Sequence, residues 1–363
     1  MTTAMHIRRH SMGVVLLLFA CGGGEEQVAR SDRPRPLAAP VAPPAFSITL
    51  RAAGSTILEP SEVIETDSGL YLFASPDELW FAPFDGSDRT PRLAGSLRKF
   101  GQGAVFVLAS HPDGIGVAGV DGRLRLMSYS DPTQLEYSRI IAQALNRPLG
   151  LSATGDGGWI VAHSRMRTWA NRAAISDSTV ALHVSASGEV ERLWAFERVG
   201  AERPAAFLVD HMAATGLRDT LVIVGSSPAR IILVTTNGVR VDTLMDVPAR
   251  PLTEQDRSGL REVTDSEQFP HLRRAALPEA HFALLKARPI GRAMYAVART
   301  GERRFVLDLY CDRRFRTTVL GDADILDIFP GQRGATVLHE IGEEGDVRLD
   351  FIPWDKLTGV CEP

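Results

Sequence analysis

Five polar residues interrupt stretches that are otherwise apolar and strand-forming: Glu65, Asp210, His211, Lys286 and Asp327. Carboxylates, an imidazole and an ammonium brought to one point can hold a cation, pass a proton or bind a small polar ligand. They can equally pair with one another across water, and both readings stand. The choice depends on whether the elements that carry them converge.

Other apparent motifs carry less. Gly114–Gly119 (GIGVAG) matches G-x-G-x-x-G, but a dinucleotide site needs that loop to open a helix, and the strand-forming run LRLMSY follows instead. Close packing explains these glycines. His339-Glu340 lacks the second histidine of a zinc-protease helix, and Gly150–Gly155 (GLSATG) falls one residue off a nucleophile elbow with no helix after it. His163 and His339 read as hydrogen-bonded packing residues near strand ends. Asp322, Asp324 and Asp327 have calcium-like character without the glycine and closing glutamate of a calcium loop. These patterns assign no catalytic residue, no metal ligand and no cofactor, and leave calcium as the one candidate ion.

The elements that must position the five residues are short strands. Gly69–Arg92 (GLYLFASPDELWFAPFDGSDRTPR) runs from an apolar stretch through a Ser-Pro-Asp turn to a second apolar stretch and an Asp-Gly turn. That is the pattern of successive antiparallel strands. Equivalent units recur, their second strands beginning near Leu70, Ile115, Trp159, Leu221, Met294 and Thr336, mostly about 45 residues apart. The spacing matches a four-stranded repeat and predicts an all-β fold, a six-bladed β-propeller, whose inner strands would line a central channel with the five polar residues. Phe46–Ile57 is expected to supply the outer strand of the sixth blade, so that both chain ends close the ring and no sheet edge stays open. In the third blade, Arg165–Ser178 reads as an interruption between strands. Asn237-Gly238 marks a hairpin in the fourth, because both central positions tolerate positive φ. The segment 248–280 is an insertion between the fourth and fifth blades, either one short helix with Thr253 as N-cap or a long loop.

Ahead of the propeller, residues 1–20 read as an export signal: Arg8 and Arg9, then an apolar run Met12–Ala20 too short to span a bilayer. Leu18-Phe19-Ala20-Cys21 resembles the bacterial lipobox, which implies cleavage before Cys21 and lipidation of its sulfur; the alternatives are a plain secretory signal or an uncleaved N-terminal anchor. Residues 21–45, rich in Gly and then Pro, cannot bury enough surface to order themselves and read as a flexible tether. The propeller then occupies residues 46–363. Of three cysteines, Cys311 and Cys361 remain, an even pair for an oxidising compartment. They form either a disulfide, closing a loop of about 50 residues, or two separate thiols.

The repeated apolar strand, D/G turn and apolar strand resemble the six-bladed propellers of the NHL-like and TolB-like group, particularly those carried by bacterial lipoproteins. The likeness spans Phe46 to the C-terminus and includes QFPHLRRAALPEAHFALLKARPIGRAMYAV, where a Pro-containing linker leads into an inner strand. It implies fold more than activity. Two function classes follow. One is a non-catalytic binding or scaffolding module for a protein, peptide or glycan partner. The other is a propeller hydrolase, lactonase-like, or a quinone-dependent dehydrogenase with its site at the channel. Related calcium lactonases build their cage partly from asparagines, whereas Asn146, Asn171 and Asn237 all fall outside the inner strands, which favours binding. A net charge of −4 over 363 residues points to neither nucleic acid nor an anionic bilayer as partner. The expectation is a monomer in the bacterial cell envelope, held by its lipid; Gly22 stands where, by resemblance to lipoproteins, inner-membrane retention favours Asp, which leans to the outer membrane.

Overall fold

The computed structural model describes residues 44–356 apart from segments 51–59, 75–76, 86–88, 99–105, 120, 132–133, 143–146, 170–172, 198–211, 227–228, 246–249, 253, 266–279, 282–283, 292–293, 301–304, 312–313, 321–324 and 342–345. Residues 1–43 and 357–363 also lie outside the description, and with them the expected signal, Cys21, most of the tether and Cys361.

Six antiparallel four-stranded sheets form a six-bladed β-propeller. The innermost strands are Pro60–Glu65, Phe106–His111, Arg147–Ala153, Met212–Leu217, Leu284–Gly291 and Ile325–Pro330, in blades one to six. From blade one to blade six each inner strand neighbours the next, and blade six meets blade one through a shared apolar cluster and the contact of Arg333 with Glu65. The second strands begin at Gly69, Gly114, Trp159, Thr220, Met294 and Gly334, as the repeat spacing predicts.

Blade six is closed from both chain ends. Phe46–Thr49 pairs antiparallel with Asp346–Pro353, Phe46 opposite Phe351 and Thr49 opposite Arg348. Phe46 stacks on Phe351 at 5.1 Å between ring centroids and meets Phe84 of blade one edge-on at 5.6 Å. The closing strand is thus held by backbone pairing and by aromatic contact across the seam.

Buried apolar side chains fall into six clusters, one in each gap between neighbouring blades. This explains why the second strands are apolar throughout. Leu70 and Leu72 enter the cluster shared with blade six, while Tyr71 and Phe73 enter the one shared with blade two. Leu221 and Ile223 pack toward blade three, and Val222 and Val224 toward blade five. Alternation persists, but both faces are covered, so no polar residue marks it.

Two local features refine the sequence reading. Arg165–Ser178 does not interrupt blade three: Trp159–Trp169 and Ala173–Val184 pair continuously past a bulge at Arg165/Met166 and end with Trp169 opposite Ala173. The insertion is a long hairpin extension, its strand character hidden by polar residues on a segment that projects beyond the blade. Between blades four and five the helical alternative holds, with a helix over Glu254–Asp265. Its Leu260 is buried, and the base of the insertion is zipped by Arg250 opposite His281 and Pro251 opposite Ala280. Thr253 lies outside the described residues.

The rejected motifs are strands and turns. Gly116 lies in strand Gly114–Gly119, where an added Cβ would meet the Trp159 ring of blade three at 2.2 Å. Ser152 lies in an inner strand and donates its hydroxyl hydrogen to the Leu217 carbonyl of blade four. His339 pairs with Asp350 at 3.3 Å, and His163 is buried. The hairpin expected at Asn237-Gly238 forms one residue earlier, with Thr236 and Asn237 at its centre and Thr235 opposite Gly238, which takes the positive φ of +93°.

Candidate functional site

Every blade is an up-and-down meander of four strands, so the outermost strand ends where the next inner strand begins. All connections between blades therefore lie at one end of the propeller, here termed the linker end. The helical insertion springs from that end. The first halves of the inner strands, nearest to it, carry several of the polar residues, while Glu65 and Arg288 lie further along.

Three of those residues occupy one structural position. Glu62 stands opposite Phe73, Lys286 opposite Ala298 and Asp327 opposite Leu338, in each case the fifth residue of the blade's second strand. A register shift immediately precedes each one, at Pro60/Glu62, Leu284/Lys286 and Ile325/Asp327. Such bulges bend the strand and re-aim the following side chain, and they are common beside functional sites. The equivalent positions in blades two, three and four are Val107, Pro148 and Ala213. Charge is thus confined to the contiguous arc of blades five, six and one.

Lys286 is the centre of that arc. Its ammonium lies 3.4 Å from both Asp327 carboxylate oxygens and from the Ile328 carbonyl, and 3.4 Å from the centroid of the Phe329 ring. Asp327 also accepts a 2.7 Å hydrogen bond from the Ile328 amide. Both carboxyls are harder to ionise than usual. Burial pushes Glu62 up to about 8, with the Lys286 ammonium and a hydrogen bond from the Leu108 backbone pulling the other way. Burial likewise raises Asp327 against Lys286 and the Ile328 amide. Both are enclosed by protein while an edge of each side chain opens on the channel, so desolvation outweighs the attraction of one ammonium.

One step further along the blade-five inner strand stands Arg288, 4% exposed. Its guanidinium donates at 3.3 Å to the Gly216 carbonyl of blade four. Burial lowers it to about 10, opposed by the Glu65 carboxylate, so it stays charged at neutral pH.

The structure brings together Lys286 and Asp327 of the five residues read from the sequence. Glu65 is drawn instead to the seam between blades six and one, where it receives the Arg333 amide at 3.0 Å and the Arg333 guanidinium at 2.8 Å. Asp210 and His211 lie outside the described residues, and the described inner strand of blade four begins after them, at Met212. Glu62 and Arg288 escaped the sequence reading. A parity argument could have found both: Arg288 is two residues from Lys286, and Glu62 is three from Glu65, so the two glutamates cannot share one face of a regular strand.

Among the described residues, no three His, Cys, Asp or Glu side chains gather at metal-binding spacing. In the channel an ammonium already fills the space beside the carboxylates, which makes the arc a set of hydrogen-bond donors: Lys286, Arg288 and, while protonated, Glu62.

The residues thus define a β-propeller with a polar arc at its axis. No family model matches the chain, and no curated protein matches it. Similar solved structures include BBS1N in complex with ARL6DN, soaked with lead, at 10% identity over 86% of this chain and 97% of that chain, TM-score 0.41. The mercury-soaked form of that complex gives 10% identity over 88% and 94%, TM-score 0.42. A protein from Lactobacillus plantarum gives 11% identity over 84% and 90%, TM-score 0.41.

Proposed function

We propose that this chain is an envelope-anchored propeller of the NHL-like or TolB-like kind, a monomeric, non-catalytic binding or scaffolding module for a protein, peptide or glycan partner. In this reading residues 1–20 direct export, Cys21 carries lipid, residues 21–45 hold the propeller off the membrane and Cys361 is the partner of Cys311. The disulfide at Cys311 supports an oxidising compartment. One observation carries the binding role: the helical insertion is braced at its base and by buried Leu260, yet presents Glu254, Ser258, Arg261, Glu262 and Asp265 outward at the linker end. Rigidly held, solvent-facing loop insertions are where propeller-like scaffolds place recognition. The test is capture by crosslinking on intact envelopes of the full-length protein and of a variant with Glu254, Arg261 and Glu262 changed to Ala. Loss of a discrete crosslinked product supports the reading; an unchanged product excludes the helix as the interface.

A channel hydrolase is the second reading, favoured by one observation: a carboxyl held near 8 beside a lysine is suited to general acid or base work. It requires an activity that Glu62→Gln abolishes.

A further inference from the structure

We propose that the central channel binds a small oxyanion, a carboxylate- or phosphate-bearing molecule, between the Arg288 guanidinium and the Lys286 ammonium. This goes beyond the macromolecular binding proposed for the linker end and does not depend on it.

Arg288 is the first reason. A guanidinium has five N–H donors, and among the described residues the hydrogen bond of Arg288 is the one to Gly216 O, at 3.3 Å. The carboxylate that acts on it is Glu65, which is engaged by the amide and guanidinium of Arg333. A buried cation without a dedicated counterion is costly, and a bound anion removes that penalty. The planar fork of arginine is also the geometry that grips carboxylate and phosphate oxygens in pairs.

Lys286 is the second. All its polar contacts lie at 3.4 Å, beyond the short range of a strong charge-assisted bond. It rests on the Phe329 ring, so its position is fixed while its donors remain weakly used. Lys286 and Arg288 are two residues apart on one strand, so both side chains leave it on the same side; the ammonium then reaches blade six and the guanidinium Gly216 of blade four.

The carboxyls complete the argument, because they do not cancel the two cations. With Glu62 protonated at neutral pH, Lys286 and Arg288 stand against Asp327, whose ionisation burial also disfavours, and Glu65, which Arg333 engages. A protonated Glu62 is itself a donor. Glu62, Lys286 and Asp327 each follow a bulge, in three adjacent blades.

Isothermal titration of the full-length protein tests the proposal, with sodium phosphate and sodium succinate as probes at pH 7 and constant ionic strength. One equivalent of at least one probe is expected to bind, and which probe binds tells phosphate from carboxylate. Arg288→Met and Lys286→Met should each weaken binding at least tenfold, whereas Arg314→Gln, an exposed arginine of the same blade, should bind as the unaltered protein does. Should Arg288→Met fail to fold, Arg288→Lys and Lys286→Met carry the test, since lysine keeps charge and loses the fork. No binding of either probe overturns the proposal. So does equal binding by the foldable channel variants, which would leave Arg288 only the task of joining blades four and five.

Discussion

Arg333 of blade six grips Glu65 of blade one twice, through its backbone amide at 3.0 Å and its guanidinium at 2.8 Å, and the same guanidinium lies 4.2 Å from the centroid of the Phe84 ring. The Glu65 side chain is only 5% exposed, and Arg333 supplies the donors that replace its lost water. The contact lies where the ring of blades is closed by chain ends distant in sequence, beside the aromatic group of Phe46, Phe84 and Phe351.

Arg333→Met is therefore expected to destabilise the fold by about 2 kcal/mol, the penalty for leaving a buried carboxylate short of donors. The loss should be local to the seam. Hydrogen exchange should accelerate in Phe46–Thr49 and Pro60–Glu65 before other blades; uniform acceleration, or none, counts against the clasp.

The channel carboxyls set a pH dependence of definite sign. Glu62 titrates near 8 in the folded protein and near its ordinary 4.5 when unfolded, so between those values the folded state holds a proton that the unfolded chain releases. Stability is fully present below about pH 4.5 and is lost as pH rises toward and through 8. Asp327 acts in the same direction. Glu62→Gln removes its share, so the variant should gain on the order of 2–4 kcal/mol relative to the unaltered protein between pH 5 and pH 9. Denaturant melts at the two pH values check this; parallel changes in both proteins contradict it.

Lipidation is tested by Cys21→Ser. The variant should leave the membrane fraction and take up no labelled palmitate, while Cys311→Ser should remain membrane-bound. Retention of Cys21→Ser on the membrane would show that the anchor is something else.

The fold was legible because each blade repeats one apolar plan. Leu70 through Phe73 serve two interfaces at once, and that demand writes itself into consecutive residues. Close packing of glycines was legible too, since Gly116 cannot carry a side chain against Trp159. The site was legible only in part. Lys286 and Asp327 stand out as charges within apolar strands, but Glu65 looks the same in sequence and is claimed by Arg333. Nothing local announces a bulge, so the shift that aims Glu62 inward is invisible until the strands are paired. Arg288, followed by Pro289, resembles a strand-end surface arginine, and its burial is a consequence of Gly216 lying across from it in another blade.

The binding role at the linker end has one direct measurement. A photo-crosslinking amino acid is placed singly at Glu262, on the exposed helix of the insertion, or at Asp113, on an exposed turn between the first two strands of blade two and so at the opposite end. In intact cells the account predicts a discrete, higher-mass product from Glu262 and none from Asp113. Products of equal yield from both positions, or from Asp113 alone, would contradict it.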